Sequence, residues 1–146
     1  MSKMESKQRV FKPKIVCFIC NRSSYALLKK DDFQLPENIR NIRVICLGRI
    51  NLSFIFKAFE LGADGVLLIG CPPGECQYSF GNKLAEEHLL KAKKIGHLLG
   101  IERERLGLVY ISISEDLQFI KNVEKFFDDV RRLGPSPFNT ETNEEK

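Results

Sequence analysis

Gly65-Val66-Leu67-Leu68-Ile69-Gly70 runs directly into Cys71-Pro72-Pro73-Gly74-Glu75-Cys76. The apolar run is too short for a helix and lacks the alternation of a half-buried strand. It predicts a strand over Gly65–Ile69 that is covered on both faces, as in a parallel sheet. The Pro- and Gly-rich stretch stops that strand and places a cysteine at each end of the following loop. Working outward, Lys14–Phe18 and Ile42–Cys46 read as two further strands, and Leu106–Ile113 as a fourth.

Helices fall between them. Ser23–Lys30 is a short helical stretch, and Asp31–Asn41, with Pro36, reads as a loop. Asn51 can N-cap a helix bearing Leu52, Ile55, Phe56 and Phe59 at helical spacing, with Gly62 as its stop. A long helix over about Lys83–Leu99 puts Leu84, His88, Ala92, Ile95 and Leu99 on one face, and Gly100 stops it. Ser114 can cap a last helix with Leu117, Ile120, Val123, Phe127 and Val130 inward, ending at Gly134-Pro135. The order is β-α-β-α-β-α-β-α. Right-handed crossovers then give an open four-stranded parallel sheet with helices on both faces, a flavodoxin-like or Rossmann-like three-layer α/β/α fold, and by analogy with flavodoxin-like folds the strand order is expected to be 2-1-3-4.

The chain has 146 residues, 43% hydrophobic and 29% charged, which suits one domain with a core of its own. The domain is expected over residues 14–134. A flexible polar lead (1–13) precedes it and a disordered acidic tail (135–146) follows. The net charge of +4 is modest, and its basic residues are scattered among acidic ones. Nucleic-acid binders usually concentrate such residues in a stripe, so no nucleic-acid partner is expected. No apolar run approaches a membrane span, and the N-terminus lacks a signal-peptide core, so a cytoplasmic protein without a membrane partner is expected.

The cysteines carry the chemistry. Four of the five stand where a strand gives out: Cys20, Cys46, Cys71 and Cys76. In a parallel sheet the carboxyl ends of strands share one edge, and ligands bind there. Thiolates suit zinc, copper(I) and iron–sulfur clusters, and disulfides are rare in the cytosol. Cys17 is three residues before Cys20 in a strand, so the two point to opposite faces and Cys17 belongs to the core. The same residues could instead be buried cysteines flanking a tight turn, or a redox dithiol at Cys71 and Cys76. No Gly-x-Gly-x-x-Gly or P-loop follows the first strand. Neither His88, read as a satisfied core histidine, nor His97, read as solvated, reaches the edge. Arg49 follows a strand end and could face a cluster, a partner or solvent. Ser112, Ser114 and Glu115 are expected near the same edge.

Several segments also carry a resemblance. They are Phe18-Ile19-Cys20-Asn21 with Ser24-Tyr25-Ala26, and Arg43-Val44-Ile45-Cys46-Leu47-Gly48-Arg49. Lys57-Ala58, Gly62-Ala63-Asp64-Gly65-Val66 and Gly70-Cys71-Pro72-Pro73-Gly74-Glu75-Cys76-Gln77-Tyr78 follow. Gly81-Asn82 and the run from Gly100 to Leu106 complete the set. Across about Lys12 to Pro135 the chain resembles the iron–sulfur delta subunit of methyl-viologen-reducing (F420-non-reducing) hydrogenase. The resemblance implies an electron-transfer subunit with a [2Fe–2S] cluster on Cys20, Cys46, Cys71 and Cys76. It implies relay from a hydrogenase or formate dehydrogenase to the flavin-containing subunit of heterodisulfide reductase, which in methanogens works by flavin-based bifurcation. The family typically reads Cys-Asn-Trp-Cys at the first site, where this chain has Cys20-Asn21-Arg22-Ser23. One family cysteine is therefore Ser23, and the quartet has no spare. Ser23 oxygen or Cys17 could substitute as a ligand, or the chain could be a zinc-bound or metal-free docking scaffold. Pro72 also replaces a histidine of the family's usual loop.

Overall fold

The computed structural model describes residues 12–20, 39–70, 81–111 and 116–138. Four parallel strands form its sheet: β1 (Ile15–Cys20), β2 (Ile39–Val44), β3 (Gly65–Gly70) and β4 (Leu106–Tyr110). Their order is β2-β1-β3-β4, the order expected by analogy with flavodoxin-like folds. Three helices are described: α1 (Leu52–Glu60), α2 (Gly81–Leu98) and α3 (Asp116–Leu133). The helical stretch expected at Ser23–Lys30 lies outside the described residues.

β3 sits centrally, pairs on both sides and is buried throughout. Its even side chains, Val66 and Leu68, join one core, where α1 contributes Ile55 and Phe59 and α2 contributes Ala85, Leu89 and Ala92. Its odd ones, Leu67 and Ile69, join a second core with Phe119, Val123, Phe126, Phe127 and Val130 of α3. The sheet is therefore covered on both faces, in three layers. The glycine-to-glycine apolar run was legible because such double coverage removes the need for polar alternation.

Three expectations shift. β2 covers Ile39–Val44 rather than Ile42–Cys46, because Ile45 and Cys46 leave the sheet to form a turn. The buried stripe of α2 is Ala85, Leu89 and Ala92, whereas Leu84, Ile95 and Leu99 are exposed. Small residues let this helix approach its neighbours: a Cβ on Gly96 would meet Ile101 at 3.4 Å and Phe56 at 3.8 Å. Third, core packing continues past residue 134. Ser136 is only 4% exposed, and Phe138 packs against the α1/α2 core.

A buried polar network closes the amino end of the sheet. Asp64 accepts hydrogen bonds from the backbone N–H of Lys14 (2.8 Å) and of Ser136 (2.8 Å). The Ser136 hydroxyl donates to the Ala63 carbonyl at 2.8 Å. Arg105, also buried, donates to the carbonyls of Asp64 (3.0 Å), Gly134 (2.8 Å) and Pro135 (3.1 Å). Its Nε donates to Glu102 at 2.7 Å. A guanidinium on the last carbonyls satisfies orphan acceptors and opposes the negative end of the helix dipole. The network ties β1, β3, β4 and the end of α3 together, which leaves the opposite edge to carry a site.

α1 begins as predicted, with Asn51 Oδ1 accepting from the N–H of Ser53 (3.0 Å) and Phe54 (3.4 Å). Gly62 ends it at φ +105°, a conformation that favours glycine.

Candidate metal centre

Register places the strand ends side by side. Cys20 is opposite Val44, Ile19 is opposite Ile69, and Gly70 is opposite Tyr110. Continuing the β1–β3 register by one residue sets Cys20 beside Gly70, the residue before Cys71. Cys20 is 6% exposed and belongs to the α1/α2 core, together with Phe18, Leu47 and Ile50. Cys17 is fully buried in the opposite core, beside Ile15, Ile19 and Leu67. The strand parity of the two cysteines thus holds. Burial pushes the Cys17 thiol up to about 12.

Cys46 has an uncommon role. It is the N-cap of a 3-10 turn, Leu47–Arg49, with extended backbone angles of φ −152° and ψ 139°. Its Sγ accepts a hydrogen bond from the Gly48 N–H at 3.4 Å. The turn is closed by Arg49 N–H on the Cys46 carbonyl (3.0 Å) and Ile50 N–H on the Leu47 carbonyl (2.9 Å). An N–H aimed at sulfur favours the thiolate over the thiol.

The turn does not stay above β2. It touches the ends of β1 and β3 and lies against α2. Leu47, 2% exposed, fills the space over Gly70: a Cβ there would come within 2.5 Å of Leu47 Cδ1. Only a residue without a side chain fits beneath it. The residue after Cys46 therefore packs on the residue before Cys71, although β2 and β3 are separated by β1. From α2, His88 Nδ1 donates to the Ile50 carbonyl at 2.7 Å. His88 is a satisfied, half-buried histidine, as its position on the helix suggests, and His97 is exposed.

Arg49 is exposed on the turn, and Arg40 and Arg43 are exposed on the edge strand β2. At the end of β4, the Tyr110 hydroxyl donates to Glu86 of α2. Burial, followed by the hydrogen bond and charge of Glu86, raises the phenol above its ordinary range. Its strand-end position was the available signal for Tyr110; its helix partner had none in sequence.

Two of the four candidate sulfurs, Cys20 and Cys46, lie among the described residues. Cys71, Cys76, Ser23, Ser112, Ser114 and Glu115 lie outside them. Among the described residues no three His, Cys, Asp or Glu side chains form a metal-holding group. None of the described helices is long and apolar enough to cross a membrane.

Fold and strand ends define a three-layer α/β domain that presents cysteines at the carboxyl edge of a parallel sheet. The chain belongs to the family of the delta subunit of methyl-viologen-reducing hydrogenase, whose model matches residues 15–134. It is 39% identical over 135 residues to the iron–sulfur subunit of the vhc F420-non-reducing hydrogenase of Methanococcus voltae, covering 90% of this chain and 94% of the relative. It is 37% identical over 131 residues to the iron–sulfur subunit of an F420-non-reducing hydrogenase of Archaeoglobus profundus, covering 88% and 96%. A third relative is a long polypeptide of the ferredoxin:CoB-CoM heterodisulfide reductase of Methanosarcina mazei. The match is 37% identical over 126 residues, 84% of this chain but 16% of that one.

Proposed function

We propose that this chain is an electron-transfer subunit with one [2Fe–2S] cluster held by Cys20, Cys46, Cys71 and Cys76. The carrying observation is the Cys46 turn. It crosses from β2 onto Gly70, bringing the flanks of Cys46 and Cys71 together at the edge where β1 ends in Cys20. The donor chemistry fits: four thiolates suffice for such a cluster, and Cys46 Sγ already accepts a backbone N–H. When bound, the cluster would take up and release single electrons at a potential set by charge, hydrogen bonds to sulfur and exposure. The chain supplies those controls through the Gly48 N–H, the apolar cover of Leu47 and the packed strand end at Cys20. Acid–base groups are not required for this task.

Relatives named as iron–sulfur subunits of F420-non-reducing hydrogenases support the reading. So does the heterodisulfide reductase polypeptide that contains the matching stretch within its own chain. This domain would receive electrons from a hydrogenase or formate dehydrogenase and dock on the flavin-containing heterodisulfide reductase component, in the cytoplasm. Arg49, exposed beside the Cys46 turn, is a contact for an acidic patch on such a partner.

Ser23 motivates a second reading, a zinc-bound or metal-free docking scaffold in the same kind of complex. Anaerobic purification separates the two. The first reading requires brown protein with about two iron and two acid-labile sulfide per chain. Colourless protein with stoichiometric zinc would establish the second.

A further inference from the structure

A ligand on a short turn is only as well placed as whatever holds that turn. Within the Cys46–Ile50 segment, the internal hydrogen bonds fix its shape but not its position on the domain. Leu47 anchors one side of it on Gly70. The other anchor is polar: the Ile50 carbonyl, in a residue 2% exposed, accepts from His88 Nδ1 at 2.7 Å. The His88 ring projects from α2 next to Ala85, Leu89 and Ala92, which lock that helix into the core. α2 begins at Gly81, five residues after Cys76.

We propose that His88 is a positioning residue for the centre, fixing the Cys46 turn to a helix that is locked into the core. The Cys46 turn is thereby referenced to one rigid element. A carbonyl only accepts, so Nδ1 carries the proton and donates it to the Ile50 carbonyl. Its role is to keep Gly48 N–H directed at Cys46 Sγ, a contact that tunes both thiolate character and cluster potential.

This inference rests on the cluster reading for its electrochemical arm but not for its structural one. The test compares wild type with His88→Leu, which removes the donor, and His88→Asn, whose amide nitrogen stands near the Nδ1 position. Amide hydrogen exchange is read first, at Gly48 and Arg49. Exchange should accelerate in His88→Leu by about fivefold or more, the factor one net hydrogen bond is worth, and return towards wild type in His88→Asn. In cluster-bearing protein, the reduction potential of His88→Leu should become more negative, since the reduced centre loses an N–H···S contact. It should recover in His88→Asn.

Unchanged Gly48 exchange and potential in His88→Leu would overturn the proposal, as would a folded His88→Asn that matches His88→Leu in both. If His88→Leu does not fold, His88→Phe takes its place, because it keeps an aromatic ring without a donor. A wild-type protein that holds no iron refutes the cluster reading, while the exchange comparison still decides the role of His88.

Discussion

Replacing Gly70 with alanine should damage the strand-end geometry, and the structure supplies the magnitude. An ideal Cβ at Gly70 falls 2.5 Å from Leu47 Cδ1 and 3.5 Å from Leu47 Cγ. Carbon atoms normally rest about 3.5–4.0 Å apart, so the closest pair overlaps by roughly 1 Å. Leu47 is buried and cannot swing into solvent. Overpacking of this kind costs about 1–3 kcal/mol. With a urea slope of roughly 2 kcal/mol per molar, a loss of about 2 kcal/mol lowers the unfolding midpoint by about 1 M. Gly70 has no positive φ, so the alanine backbone itself is unstrained. A double-mutant cycle sharpens the expectation. Leu47→Ala alone should cost about 2–5 kcal/mol through its cavity. In that background the clash is gone, and Gly70→Ala should become neutral or stabilising by about 0.5–1 kcal/mol, because glycine is the weaker residue in a strand. Urea unfolding followed by far-ultraviolet circular dichroism, with metal content matched across the four proteins, reads the cycle. Equal costs for Gly70→Ala in both backgrounds would refute the claim that Leu47 occupies the space above Gly70.

Further outcomes follow from the buried groups. Cys17 should resist iodoacetamide at pH 8 in folded protein and react after urea unfolding, as mapped by mass spectrometry, and Cys17→Ala should keep its full iron content. Because folding raises the Cys17 pKa, its contribution to stability is present below the ordinary thiol range and declines as pH rises towards 12, an alkaline loss absent in Cys17→Ala. Arg105→Met should cost about 1–3 kcal/mol in urea unfolding, since several carbonyls around it lose their donor. Arg105→Lys should not rescue it, as one ammonium cannot reach the same fan of acceptors. Glu102 is held below the usual carboxylate range chiefly by its hydrogen bond from Arg105. Its contribution is present above the unfolded glutamate value and fades as pH falls through the lower folded one. Glu102→Gln should lower stability at neutral pH and flatten the acid limb of a pH–stability profile.

The central strand was the most readable part of the chain, because double-sided burial leaves an uninterrupted apolar signature at Val66–Ile69. The parity of Cys17 and Cys20 followed from strand geometry alone. β2 was harder. Val44, Ile45 and Cys46 look like strand, but Cys46 caps a turn through its sulfur, a role that Ser, Thr, Asp or Asn would have announced. α2 misled for another reason: its large apolar side chains are exposed and its small ones make the close contacts. Asp64 and Arg105 gave no hint of burial, since single charged residues default to the surface and their partners are backbone groups distant in sequence. At the site, sequence named the cysteines at strand ends. It could not show that the Cys46 turn crosses β1 to rest on Gly70, nor that His88 holds it, because both depend on tertiary packing.

The electron-transfer reading of the strand-end edge depends on one [2Fe–2S] cluster being held by Cys20, Cys46, Cys71 and Cys76. Electron paramagnetic resonance of the anaerobic, dithionite-reduced protein decides it, with Cys-to-Ala variants at positions 17, 20, 46, 71 and 76. A single cluster signal should survive Cys17→Ala and be lost or replaced in each of the other four. A signal that disappears with Cys17→Ala, or a wild-type protein with no iron and no signal, would show the assignment to be wrong.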